Sequence, residues 1–136
     1  MDETFHLIIP AHRRYLRLAS GLVTNILTRD KRVDQPTIYN IDLALQEIAA
    51  NIIEQAYAEN VDGRITIDIT LTQQPPTLII DLHDTGRAFN PAQIAAPNLE
   101  EAQVRGYGLH LAPKLMDEIF YEAQDDGNHW RVIKYL

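Results

Sequence analysis

An acid and an amide stand four residues apart in segment 37–58, where apolar residues recur at helical spacing. Glu47 and Asn51 therefore lie one turn apart on one face of a predicted helix, among mostly small or apolar neighbours. A carboxylate and a carboxamide on such a surface can orient a proton acceptor and hold a hydrated cation. An ordinary solvated polar face is the alternative interpretation of this pair.

A second candidate stands where a predicted strand ends. Asp84 follows the predicted strand 77–83, and Gly86 comes two residues later. A carboxylate at this place can accept a hydrogen bond from a purine amino group, while the glycine lets a flat base approach the backbone. A plain Asp-x-Gly turn without any ligand is the alternative.

Two glycines precede the last predicted helix, at 108–118. Gly106 and Gly108 would expose unpaired backbone amides beside the positive end of that helix, an arrangement that suits a polyphosphate. Arg105 adds a charge-assisted contact, and Leu109 follows the second glycine. A simple helix start explains the same residues without a ligand.

The elements that must position these residues follow from the spacing of apolar residues. Residues 64–72 alternate strictly between polar and apolar side chains, which is the strongest strand signal in the chain. In chain order we predict a strand at 5–9, helices at 11–28 and 37–58, strands at 64–72 and 77–83, a helix at 108–118, and strands at 119–123 and 129–136.

This order predicts a two-layer α/β sandwich, with a mostly antiparallel, mixed sheet and its helices on one face. The sequence leaves open how the first strand joins the sheet. Between Asp84 and Arg105 about twenty residues show no period, and so long a loop is usually functional, so we predict a lid there.

The composition narrows the class of protein. A chain of 136 residues with 46% hydrophobic and 23% charged residues predicts one globular domain over 1–136. It has no cysteine, which excludes disulfides and thiolate chemistry. The net charge of -7 disfavours direct binding to nucleic acid. The start is acidic and the apolar runs are short, so we expect a cytoplasmic protein without a membrane association.

The three motifs occur in a familiar order. Glu-x-x-x-Asn, Asp-x-Gly, a long loop and Gly-x-Gly-Leu resemble the N, G1 and G2 boxes of the histidine-kinase-like ATPase superfamily, which has the Bergerat fold. Segments IDLALQEIAANIIEQAY, LIIDLHDTGRAFNP and RGYGLHLAPKLMDEIFYEAQDDGNHWRVIKYL resemble its anti-sigma-factor serine/threonine kinase branch. Signals of that branch are Leu-Met-Asp-Glu from Leu115, Gly127-Asn128 and Lys134. The resemblance covers essentially the whole chain.

The resemblance implies ATP and Mg²⁺ as cofactors and gives each motif a role. Asn51 would hold the magnesium that bridges the phosphates, and Glu47 would receive the proton of a substrate serine. Asp84 would recognise the adenine amino group, with Gly86 under the base. The phosphate loop would comprise Arg105, Gly106, Gly108 and Leu109.

The resemblance also implies a function. It describes a protein kinase that phosphorylates a serine of an anti-anti-sigma (STAS) protein, sequesters a sigma factor in a partner switch and forms a homodimer, often through the first strand and helix. Ala88 stands where the family usually has a second G1 glycine, and Gln55 stands where it commonly has a histidine. A non-catalytic ATP-binding module of the same fold is therefore the alternative. A histidine-kinase catalytic domain is disfavoured, since the sequence shows no phospho-acceptor hairpin.

Overall fold

The computed structural model describes residues 2–58, 62–88 and 109–136. Its strands are β1 (Glu3–Pro10), β2 (Arg64–Gln73), β3 (Pro76–Asp84), β4 (Glu118–Gln124) and β5 (Gly127–Tyr135). Its α-helices are α1 (Leu16–Thr28), α2 (Gln35–Asn51) and the short α3 (Ala112–Leu115). A 3-10 turn (Arg13–Tyr15) precedes α1, and a π-helical turn (Ile52–Ala56) continues α2.

The described strands form one sheet in the order β1-β2-β3-β5-β4, and every neighbouring pair is antiparallel. The predicted hairpins are β2–β3 and β4–β5, while β1 pairs with β2 at one edge of the sheet. The two-layer α/β fold predicted from the sequence is therefore confirmed, and its described strands are antiparallel throughout.

One face of the sheet forms the core against α1 and α2. The alternation in β2 places its apolar residues on this face, where all are buried: Ile65, Ile67, Ile69 and Leu71. In β3 the same face carries Leu78, Ile80 and Leu82, which are completely buried. Side chains two residues apart in a strand share a face, so Asp84 also faces inward. The alternation in β3 therefore places its last residue, Asp84, on the core-facing side of the sheet.

Helix α2 begins at Gln35, two residues before the predicted start at residue 37. The side chain of Asp34 caps it by accepting a hydrogen bond from the Thr37 amide at 2.9 Å, and Pro36 lies in its first turn. The apolar residues that recur at helical spacing in segment 37–58 form a stripe that is buried: Ile41, Leu45, Ile48, Ile52 and Ala56. The helix passes at Asn51 into the π-helical turn, a distortion often found at functional sites.

The last helix is shorter than its predicted span. In the described part of that span only Ala112–Leu115 is helical, with Pro113 in its first turn. Met116 is extended and the Asp117 amide bonds to the Ile133 carbonyl at 3.0 Å, so the chain has already joined the sheet. None of the helices in residues 2–58, 62–88 and 109–136 is long and apolar enough to cross a membrane.

Candidate functional site

Asp84 is the most confined carboxylate among the sequence-predicted site residues. Only 5% of its surface is exposed. Its Oδ1 accepts hydrogen bonds from the Gly86 amide at 2.9 Å and from Asn128 Nδ2 at 2.8 Å. Its Oδ2 is buried and has no partner among the described residues. Asp84 therefore presents one fully occupied oxygen and one free acceptor.

The burial of Asp84 has an electrostatic cost. Burial raises the pKa of the Asp84 carboxyl above its ordinary value, although the hydrogen bonds from Asn128 and Gly86 and the nearby His83 act in the opposite direction. A buried oxygen without a hydrogen bond is unfavourable unless a ligand supplies one. A purine amino group is a donor of the required kind.

Asn128 is a site residue for which the sequence reasoning gave no role. It is completely buried, and its Nδ2 donates to Asp84 Oδ1 and to the Arg87 carbonyl at 2.9 Å. The Tyr121 hydroxyl donates to Asn128 Oδ1 and so holds the amide in this orientation. In the sequence the Gly127-Asn128 pair was a signal of the family resemblance, with no contact assigned to Asn128. In the fold it fixes which oxygen of Asp84 stays free.

The turn before β5 requires a glycine at position 127. Its φ is +153°, and a Cβ placed there would lie 1.8 Å from the carbonyl oxygen of Asp84. The backbone of β5 therefore approaches the end of β3 closely enough for Asn128 to reach the Asp84 carboxylate.

Gly86 ties the loop after β3 to the end of α2. A Cβ on Gly86 would lie 2.4 Å from the Ala56 carbonyl oxygen, so a side chain cannot be added without moving backbone. The Arg87 amide donates to that same carbonyl at 2.8 Å, and Arg87 Nε donates to the Gln55 carbonyl at 2.8 Å. These contacts join the Asp84 loop to the π-helical turn that follows Asn51.

Asn51 is not part of a solvated face. Only 6% of its surface is exposed, and its Nδ2 has no hydrogen-bond partner among the described residues. An amide donor suits a phosphate oxygen, and turning the amide by 180° would present its carbonyl oxygen, the atom type that Mg²⁺ prefers. The Asn51 side chain could therefore contact either a phosphate oxygen or a magnesium ion.

Glu47 is engaged within the chain. Its Oε1 accepts hydrogen bonds from the amides of His110, Leu111 and Ala112, each at 2.9 Å, and its Oε2 accepts from the Leu111 amide at 3.0 Å. The sequence placed Glu47 and Asn51 on one helix face but gave no sign of this contact, which spans more than sixty residues of chain.

The remaining predicted residues divide into two groups. The side chain of Leu109 is completely buried and belongs to the hydrophobic core. The predictions for Arg105, Gly106 and Gly108 lie outside the described residues, as does most of the predicted lid. The described residues thus include a carboxylate oxygen and an amide nitrogen that have no partner among them, and a glycine packed on backbone. These are groups that can contact a purine nucleotide.

Comparisons with known proteins bear on the family of the chain. A family described as "Histidine kinase-like ATPase domain" matches residues 9–134. The chain is 28% identical over 95 residues to the serine/threonine-protein kinase BtrW of Bordetella bronchiseptica, covering 67% of this chain and 66% of BtrW. It is 27% identical over 141 aligned positions to the serine-protein kinase RsbW of Bacillus cereus, covering 98% of this chain and 86% of RsbW.

Two solved structures share the fold. The RsbU and RsbW domains of Rv1364c from Mycobacterium tuberculosis match with a TM-score of 0.71 and 18% identity, over 98% of this chain and 32% of that one. The histidine kinase domain of the blue-light activated histidine kinase EL346 from Erythrobacter litoralis matches with a TM-score of 0.60 and 18% identity, over 94% and 62% of the two chains.

Proposed function

The chain belongs to the histidine kinase-like ATPase domain family, and from that premise we propose that it is an ATP-dependent protein serine/threonine kinase. Its substrate would be a serine of an anti-anti-sigma (STAS) protein. The observation that carries the proposal is the buried Oδ2 of Asp84 at the end of β3, which has no partner among the described residues because Asn128 bonds to the other oxygen. The relatives named as serine kinases support the choice of reaction.

We assign adenine recognition to Asp84 and Gly86. The Oδ2 without a partner among the described residues would accept a hydrogen bond from the exocyclic amino group of adenine. Gly86, which is packed against the Ala56 carbonyl, would lie under the base. A buried acceptor selects strongly for a ligand that carries the matching donor, since a ligand without it leaves the acceptor unpaired.

We assign the phosphates and Mg²⁺ to Asn51 and the predicted loop residues Arg105, Gly106 and Gly108. Bound magnesium would neutralise the charge of the phosphates. The chain's own part is positioning, because Asn51 is buried at the point where α2 passes into the π-helical turn. Glu47 lies one turn earlier and would take the proton of the substrate serine hydroxyl. In the same step the serine oxygen would bond to the γ-phosphorus, and the bond between the γ-phosphorus and ADP would break.

Alanine in place of Asn51 is expected to remove magnesium-dependent ATP binding. The truncation deletes the only side-chain amide proposed for this role, so the affinity for Mg-ATP should fall at least about tenfold. Titration calorimetry with and without magnesium measures this. Asn25→Ala is the matched control, because Asn25 is exposed on α1. An unchanged Mg-ATP affinity in Asn51→Ala would refute the assignment.

We further propose that the protein acts in the cytoplasm as a homodimer that sequesters a sigma factor and does not itself contact nucleic acid. In the described part of the chain β1 pairs only with β2, so its other edge is open. Ile8 on this strand and Leu18 on the neighbouring α1 are each more than half exposed. An open strand edge beside exposed apolar side chains supports a dimer through the first strand and helix.

A second candidate function is a non-catalytic ATP-binding module of the same fold. Its support is the engagement of Glu47 by three backbone amides and the alanine at position 88 of the G1 segment. Incubation with γ-³²P-labelled ATP and each purified STAS-domain protein of the source organism separates the two. Labelled serine in one of them supports the kinase, whereas intact ATP binding with no labelled STAS protein supports the module.

A further inference from the structure

The two oxygens of Glu47 have unequal surroundings. Oε1 accepts from three consecutive amides, those of residues 110–112, each at 2.9 Å. Among the described residues Oε2 accepts only from the Leu111 amide, at 3.0 Å, and shares that donor with Oε1. A carboxylate has about two lone-pair directions on each oxygen. Oε1 is therefore saturated, while Oε2 retains capacity for one further partner.

The contact with Oε1 holds a segment that has little structure of its own. Residues 109–112 lead into α3, which is only four residues long, and the first amides of a helix have no partner within it. Leu109 and Ala112 are nevertheless completely buried. Glu47 supplies the acceptor that these amides lack, and so it fastens the segment to α2.

We propose that Glu47 has two roles, one for each oxygen. Oε1 is a positioning group that anchors residues 109–112 on α2, and Oε2 is the oxygen left to receive the substrate proton. The second role rests on the proposed kinase function, whereas the first does not. Because residue 109 directly follows Gly108, which the sequence predicts to contact phosphate, we expect the anchoring of residues 109–112 to affect the affinity for the nucleotide.

The division between the oxygens predicts different results for glutamine and alanine. Glutamine has the same length and keeps one carbonyl oxygen, so it can take the place of Oε1, while its NH₂ group cannot accept a proton in place of Oε2. Alanine removes both oxygens. Glu47→Gln should therefore preserve the anchor and lose the base, and Glu47→Ala should lose both.

Amide hydrogen exchange on the nucleotide-free protein, resolved by residue with NMR, tests the anchor. In Glu47→Ala the amides of residues 110–112 should exchange at least about tenfold faster than in the wild type, since bonds to a charged acceptor are lost. In Glu47→Gln these rates should stay within about threefold of the wild type. Gln46→Ala is the matched control, because Gln46 bonds within its own helix to Asp42 at 3.1 Å.

Amides of β2 provide the internal reference for global unfolding in each variant. If Glu47→Ala does not fold, Glu47→Asp serves instead, because its carboxylate is one methylene too short to reach the same amides. Wild-type exchange rates at residues 110–112 in a folded Glu47→Ala or Glu47→Asp protein would overturn the anchor. Glutamine that accelerates exchange as much as alanine would overturn the division between the oxygens.

Steady-state kinetics with ATP separate the anchor from the base. Glu47→Gln should lower kcat and leave KM for ATP near the wild-type value, while Glu47→Ala should also raise KM at least about threefold. Equal KM values for the two variants would show that the anchor does not serve the nucleotide. A wild type that binds no Mg-ATP would refute the proposed function, but the hydrogen-exchange result would still decide the anchor.

Discussion

Asparagine in place of Asp84 is expected to abolish ATP binding. The variant's carbonyl oxygen can still accept from the Gly86 amide and from Asn128, and these two donors fix its orientation. Its NH₂ group then replaces the free Oδ2 and faces the adenine amino group, so that a donor meets a donor. Affinity for Mg-ATP, measured by titration calorimetry, should fall at least about a hundredfold.

Asp84→Asn should not lower the stability of the fold. Because burial raises the pKa of Asp84, the ionised carboxylate costs stability at neutral pH. This cost decreases as the pH falls below the raised pKa and is gone below the ordinary pKa of an aspartate. At neutral pH the thermal midpoint of Asp84→Asn should therefore equal or exceed that of the wild type. A folded variant that binds Mg-ATP as the wild type does would contradict the role given to Asp84.

Asp81→Asn is the matched control on the same strand. Asp81 lies on the opposite face of β3, where it pairs with His129 and Arg131, each at 2.7 Å. Burial acts to raise the pKa of Asp81, but the hydrogen bonds from Arg131 and His129 outweigh it, and the pKa is lowered. This substitution should change stability at neutral pH and leave the affinity for Mg-ATP unaltered.

Glutamine in place of Glu47 is expected to stop phosphoryl transfer while ATP binding continues. A positioned general base contributes roughly a hundred- to ten-thousandfold to a proton-transfer step, and the rate of STAS phosphorylation should fall by that order. Transfer of ³²P from labelled ATP measures the rate, with calorimetry on the same preparation for affinity.

Glu54→Gln is the control for this second prediction. Glu54 lies in the π-helical turn that continues α2, and its exposed carboxylate pairs with Arg13 at 2.6 Å. Because an exposed ion pair is worth little, the control should transfer phosphate at the wild-type rate. An undiminished transfer rate in Glu47→Gln would remove Glu47 as the base.

The fold was predictable from the sequence because its signals are local. The alternation in residues 64–72 reports directly which side chains of β2 face the core, and the stripe on α2 does the same for the helix. The prediction was less accurate for the last helix, because the bond of Asp117 to Ile133 draws the chain into the sheet. Sequence spacing near residue 117 does not report that bond.

The candidate site was predictable only in part, because its contacts are distant in the chain. Asn128 and Asp84 are 44 residues apart and meet only because β3 and β5 pair there. Glu47 and the His110 amide are 63 residues apart. Motif order suggested which residues belong to the site, but the free oxygen of Asp84 and the unequal oxygens of Glu47 required the fold.

Titration of the wild-type protein with Mg-ATP and, in parallel, with Mg-GTP tests the central claim most directly. Guanine carries a carbonyl oxygen where adenine carries its amino group, so the free Oδ2 of Asp84 would face another acceptor. We predict binding of Mg-ATP with a dissociation constant on the order of micromolar, lost when magnesium is chelated, and no comparable binding of Mg-GTP. A well-folded protein that binds neither nucleotide, or both equally, would contradict an adenine site at Asp84.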